Sequence, residues 1–167
     1  MKGPKDIAKK IEGQMPGEDY LSKVKLLLRK GKEEEALLIL RHAAKEIPDD
    51  PFILSYYGCL MAVVERKASS GAKICSNAIS LAKRSRNFGG FIHPLFYLNL
   101  GRCYYAGGQR KKAIDTFMEG LRVDPNDNDI RQELKRIGIR KKSLIPFLPR
   151  NNPLNKYIGL LISRMRY

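Results

Sequence analysis

The chain has 167 residues, enough for one domain with a sizeable core, and 43% of them are hydrophobic, which excludes a chain unfolded throughout. Its 32 Lys+Arg outweigh 17 Asp+Glu to give a formal net charge of +15, so the surface favours anionic partners. No window reaches the ~18–20 apolar residues of a membrane span. Cys59, Cys75 and Cys103 match no zinc or redox spacing and are odd in number, which argues against a disulfide framework and for a reducing, cytoplasmic setting.

Residues 1–16 carry lysines at 2, 5, 9 and 10 but no apolar run of signal-peptide length. Ile7 and Ile11 predict a weak helical lead with one apolar side. From residue 17 the chain begins to repeat itself. Tyr20 to Pro48 aligns without a gap onto Tyr97 to Pro125, every pair separated by 77 positions. The alignment pairs Leu27 with Tyr104, Gly31 with Gly108, Ala36 with Ala113, Leu40 with Phe117, Ala43 with Gly120, and Pro48 with Pro125. Within each copy, large apolar residues recur at helical spacing, as in Leu37, Leu40 and Ala44 or Ala113, Phe117 and Leu121. The glycines stand where a first helix needs a left-handed stop, and the prolines stand just past a second helix. Two antiparallel helices per copy follow.

This pattern resembles the tetratricopeptide repeat (TPR) family, whose unit is ~34 residues. Residues 94–127 carry the resemblance best, through Tyr97, Leu100, Gly101, Tyr104, Gly108, Ala113, Phe117 and Pro125, with Gly120 smaller than the usual alanine. Residues 17–50 match less fully, having Lys23-Val24 where Leu-Gly is usual. The offset of 77 leaves room for one further unit plus nine residues, and 51–93 supplies it. Tyr57-Gly58 and Met61 fit its first helix, and a one-residue insertion brings Gly71, Cys75 and Ala78 into register. The other eight residues lengthen the connection around 84–93, with a turn at Asn87-Phe88-Gly89-Gly90. The resemblance implies an all-α fold, a right-handed superhelix of three stacked hairpins (17–50, 51–93 and 94–127).

A stack of this kind needs a cap, and residues 128–138 provide one. Ile130, Leu134 and Ile137 share a face, Asp129 with Gln132 predicts a capping box, and Gly138 a stop. Residues 139–167 follow as a basic cluster (Arg140-Lys141-Lys142), an extended proline-containing segment with Phe147, and an amphipathic helix from Pro153. That helix aligns Leu154, Ile158, Leu161 and Met165, widened by Tyr157, Leu160 and Ile162. Burying such side chains contributes ~1.5–3 kcal/mol each, so the segment is expected to be covered. Its own repeats, another copy or another protein, and an anionic membrane surface contacted through Lys156, Arg164 and Arg166 are the three alternatives.

The resemblance to the TPR family implies a groove along the first helix of each hairpin. Its expected lining includes Leu21, Lys25, Leu28 and Arg29 from the first unit, Phe52 and Tyr56 from the second, and Leu95, Leu98, Asn99, Arg102 and Tyr105 from the third. Ser55 and Cys59 fall at groove positions as well. The Lys/Asn clamp that some TPR co-chaperones close on a peptide carboxylate is not retained: Lys25 stands where it uses Asn, and Leu95 where it uses Lys. An apolar groove with a few cations suits an amphipathic helix or an extended apolar segment.

Charge marks a second surface. Between Glu65 and Asp115 there is no acidic residue, and Lys73, Lys83, Arg84, Arg86, Arg110, Lys111 and Lys112 are expected on a basic outer face. His42 and His93 have no nucleophile or carboxylate set beside them in sequence, and no phosphate loop is present, so no catalysis and no cofactor or metal are expected. The expected role is a protein-interaction adaptor or assembly factor whose partner is another protein or peptide. An acidic protein, nucleic acid or an anionic membrane surface meeting the basic face, and self-association through the C-terminal helix, are the alternatives.

Overall fold

Three helices start at side chains that accept the first unpaired backbone N–H groups. Asp50 Oδ1 accepts from Phe52 N at 2.8 Å and Ile53 N at 3.0 Å, and Pro51, which has no N–H to leave unsatisfied, opens the helix. His93 Nδ1 does the same for Leu95 N at 3.1 Å, again ahead of a proline. Asp127 Oδ1 accepts from Ile130 N at 2.8 Å. The capping box expected at Asp129 is therefore corrected: Asp129 already lies in the helix's first turn, too late to reach back to its leading N–H groups.

The computed structural model describes residues 17–85 and 92–138. Among them lie helices α1 (Gly17–Arg29), α2 (Glu33–Glu46), α3 (Pro51–Val63), α4 (Ala68–Arg84), α5 (Pro94–Ala106), α6 (Arg110–Val123) and α7 (Asn128–Arg136), and no strand. The lead at 1–16, Arg86 and the turn at 87–90, and the whole of 139–167 with Phe147, Leu154, Ile158, Leu161 and Met165 lie outside the described residues. The chain divides into two units, Met1–Leu134 and Lys135–Tyr167. Of the second, only Lys135–Gly138 are described, and Gly138 takes the left-handed φ of 78° that stops α7.

The first unit is a row of antiparallel hairpins, α1 with α2, α3 with α4 and α5 with α6, in which α3 also packs on α1, α2 and α5. The repeat positions read from sequence become the core. Ala36, Leu40 and Ala43 of α2, Cys75 and Ala78 of α4, and Ala113 and Phe117 of α6 are all 0% exposed. Around the first hairpin, Tyr20, Val24, Leu37, Ile53 and Leu60 close one apolar cluster, and Cys59, Ala62, Phe96, Leu100 and Cys103 build a second between the later hairpins.

The tightest approach is between α3 and α4. A Cβ placed on Gly58 would stand 2.6 Å from the Gly71 carbonyl oxygen and 2.8 Å from Cys75 Sγ, so only glycine lets these backbones meet. In the third hairpin the ring of Phe117 covers Gly101 instead. The inserted residue of the middle unit lies in the α3–α4 turn, and three of the further eight residues extend α4 to 17 residues, against 14 in α2 and α6.

That insertion leaves a mark on the backbone. The turns inside the first and third hairpins use Gly31 (φ 68°) and Gly108 (φ 72°), whereas the middle one puts Arg66 in the same conformation, at φ 58°. A Cβ makes this region unfavourable by ~1–2 kcal/mol, partly offset by the greater freedom a glycine loses on folding. Arg66→Gly is therefore expected to stabilise the protein by about 0.5–1 kcal/mol. A higher urea midpoint at unchanged slope checks this, and a lower midpoint refutes it.

Candidate functional site

The inner helices α1, α3 and α5 each show one edge of their apolar stripe. On α1, Leu21 and Leu28 are half-buried while Lys25 and Arg29 are exposed, with no ion-pair partner among the described residues. On α3, Phe52 and Tyr56 are half-buried, and Phe52 packs its ring on Phe96 (centroids 4.9 Å apart) and against His93 (5.9 Å). On α5, Leu95 is half-buried and Tyr105 is 37% exposed. Leu98 and Asn99, expected in the lining, are buried at 3% and 1% exposure and belong to the floor beneath it.

Beneath this edge is a polar contact between repeats. Asn99 Nδ2 donates to Ser55 Oγ at 3.0 Å, with both side chains buried. Asn99 Oδ1 is also buried and has no hydrogen-bond partner among the described residues. One turn further along α5, Arg102 Nε donates to Glu133 Oε1 of α7 at 2.7 Å. Burial pulls the Arg102 pKa down, but the nearby Cys59, Glu133 and Asp129 more than offset it, and the guanidinium is held above its ordinary value. Tyr56 faces the same group, yet burial dominates and raises its phenol.

The three cysteines, far apart in sequence, meet where α3, α4 and α5 join. Cys75 Sγ lies 3.6 Å from Cys103 Sγ and donates to the Ser55 carbonyl at 3.3 Å, and Cys103 Sγ donates to the Gly58 carbonyl at 3.5 Å. All three are free thiols. Burial pushes Cys59 up to about 12, with Cys103 adding to it, so its thiol stays protonated near neutrality. Both histidines have structural partners: His42 Nδ1 lies 3.3 Å from the Tyr20 hydroxyl, and His93 caps α5. Among the described residues no three His, Cys, Asp or Glu are placed to hold a metal ion, and no helix is long and apolar enough to cross a membrane.

A family model for the tetratricopeptide repeat matches residues 95–127, the third hairpin. This chain carries a tetratricopeptide repeat in its third hairpin. Its described helices have the fold of solved TPR domains. The first TPR domain of human RPAP3 is 19% identical, with 71% of this chain and 86% of that one covered at a TM-score of 0.54. The TPR domain of Arabidopsis OM64 is 15% identical, covering 72% and 92% at 0.55. The first TPR of Spaghetti (RPAP3), solved bound to the HSP90 peptide SRMEEVD, is 18% identical, covering 74% and 95% at 0.54. None of the curated proteins matches in sequence.

On the second helices of the hairpins, Lys73, Lys83 and Arg84 of α4 and Arg110, Lys111 and Lys112 of α6 are exposed. Arg110–Lys112 occupy the repeat positions of Glu33–Glu35 in α2. The acids favour the positive N-terminal end of their helix, and the cations oppose theirs. Lys112 rests over the Tyr104 ring at 5.8 Å. Within the acid-free stretch Lys67 is paired, 2.9 Å from Glu65, which also holds Arg41.

Glu133 is the site residue that motif reading missed. It stands 34 residues after Asn99, at the same repeat position on the next inner helix, so extending the TPR register by one unit finds it. For the polar floor, Ser55→Ala leaves both ends of the Asn99 amide without a partner and is expected to destabilise the protein by ~1–3 kcal/mol, part of which Asn99→Leu in the same chain recovers. Denaturant unfolding of the two variants checks this, and a Ser55→Ala effect below ~0.5 kcal/mol would refute it.

Proposed function

We propose that this TPR chain is a non-catalytic adaptor or assembly factor that binds a helical or extended peptide along the inner face of α1, α3 and α5. The observation that carries the reading is the run of half-covered apolar and aromatic side chains on that face. Leu21, Leu28, Phe52, Tyr56 and Leu95 leave part of their surface open, and Tyr105 leaves more. Open apolar surface on successive inner helices suits a partner that brings its own apolar stripe. Lys25 and Arg29 add positive charge at the first-repeat end. The Spaghetti TPR, which shares the fold, is itself bound to a peptide. The non-catalytic part of the reading rests on His42 and His93 being engaged in packing and capping, and on thiols that are buried.

The test is a ¹⁵N-labelled titration with an uncharged amphipathic helical peptide. Shifts are expected at Leu21, Lys25, Leu28, Tyr56, Leu95 and Tyr105, and a folded Tyr56→Glu/Leu95→Glu variant is expected to bind at least ~10-fold more weakly, about 1.4 kcal/mol. Shifts gathered on the outer faces of α2, α4 and α6 would sink the groove reading.

A second reading is favoured by Arg110–Lys112, placed against the dipole of α6: a basic platform for nucleic acid or an anionic membrane surface. Its signature is binding to a single-stranded oligonucleotide or an anionic vesicle that weakens steeply with salt and is reduced by Lys111→Glu/Lys112→Glu. Salt-independent binding, or none at low salt, would refute it.

A further inference from the structure

Arg102 is the cation of the third repeat on the inner face, and it is already satisfied. Glu133 Oε1 accepts from its Nε at 2.7 Å, and the carboxylate is the inner partner: its side chain is 10% exposed, against 36% for Arg102. The pair therefore offers one edge of a guanidinium outward, backed by a carboxylate that has already lost most of its water. Asp129, on the same helix as Glu133, adds further negative potential at Arg102.

A ligand carboxylate approaching this point has two difficulties. It must displace a tethered carboxylate that is always at hand, and one of the two would then stand beside the other as a like charge. An uncharged peptide segment faces neither. The repeat register puts Glu133 at the inner position that Asn99 fills on α5, so the last inner helix turns a negative group toward the site. The geometry points to Glu133 as a specificity-determining residue: it fills Arg102 from within and excludes acidic peptide ends from the third-repeat end of the groove, which takes uncharged, apolar peptide. This deepens the peptide-groove reading and rests on it.

The test uses the full chain and two labelled probes followed by fluorescence anisotropy. One is an acidic peptide, GSGEELD, with a free C-terminus, and the other is an uncharged amphipathic peptide blocked at both ends. Glu133→Gln, which keeps shape and removes charge, is expected to bind GSGEELD at least ~10-fold more tightly than the parent chain, about 1.4 kcal/mol. Arg102→Gln in the same variant is expected to abolish the gain. Affinities of the parent and Glu133→Gln within about two-fold, or a gain that survives Arg102→Gln, would overturn the assignment. The parent chain supplies a second readout that needs no variant: the ¹⁵N resonance of Arg102 Nε stays in place as GSGEELD is added, and a shift that saturates with the peptide would also overturn it. Absence of gain while the uncharged probe binds defeats the role of Glu133 alone. Failure of both probes on both proteins defeats the groove reading itself.

Discussion

The stack depends on how closely two backbones can approach. At the Gly58–Gly71 contact no side chain fits between α3 and α4, and the neighbouring positions are filled by the smallest apolar groups available, Ala62, Cys75 and Cys103. Helices at this distance gain dispersion contacts along their length and exclude water from the backbone between them. The buried thiols serve here as small packing groups, and Cys75 and Cys103 also donate weak hydrogen bonds to the Ser55 and Gly58 carbonyls. The third hairpin solves the same problem differently, laying the ring of Phe117 on Gly101.

The inner face inherits its features from that spacing. Because α3 and α5 both pack on α4, Ser55 and Asn99 come within hydrogen-bonding reach although 44 residues separate them. Tyr56 and Arg102 then share an electrostatic neighbourhood with α7. A polar floor of this kind restrains how α3 and α5 slide past one another, since displacement would strand a buried amide that already has one unsatisfied atom.

Much of this architecture could be read from residue types. The gapless 77-residue offset, the single insertion before Gly71, and the 0% exposure of Cys75 and Ala78 at their assigned positions are one regularity seen at two levels. Repeat periodicity survives in sequence because each hairpin must bury the same positions against its neighbours. Other features depend on geometry that periodicity does not carry. Asp127 rather than Asp129 caps α7 because reach is measured from the first free N–H, a boundary uncertain by a residue or two from sequence. Leu98 and Asn99 lie under the groove because stacking on the middle hairpin covers them, and helical spacing names a face without saying how much of it stays open. The Arg102–Glu133 pair joins the third hairpin to α7 across 31 residues, so no local window contains it.

Charge separates the two sides of the solenoid more than the net value suggests. The described residues hold 20 Lys+Arg and 15 Asp+Glu, or +5 of the +15, so most of the excess positive charge belongs to the flanking segments and Arg86. Within the helices the balance is local. On the inside, Arg102 is matched by Glu133 at the third-repeat end, while Lys25 and Arg29 stay exposed at the first. On the outside, the cations opening α6 face water, where salt screens them over roughly 8–10 Å. An anionic partner of the outer face would therefore be steered at long range and released by salt, whereas a ligand held at the third-repeat end of the inner face would depend on desolvated contact that salt barely touches. Weak salt dependence would therefore mark contact at the third-repeat end of the inner face, and steep salt dependence contact with the cations that open α6 or with Lys25 and Arg29.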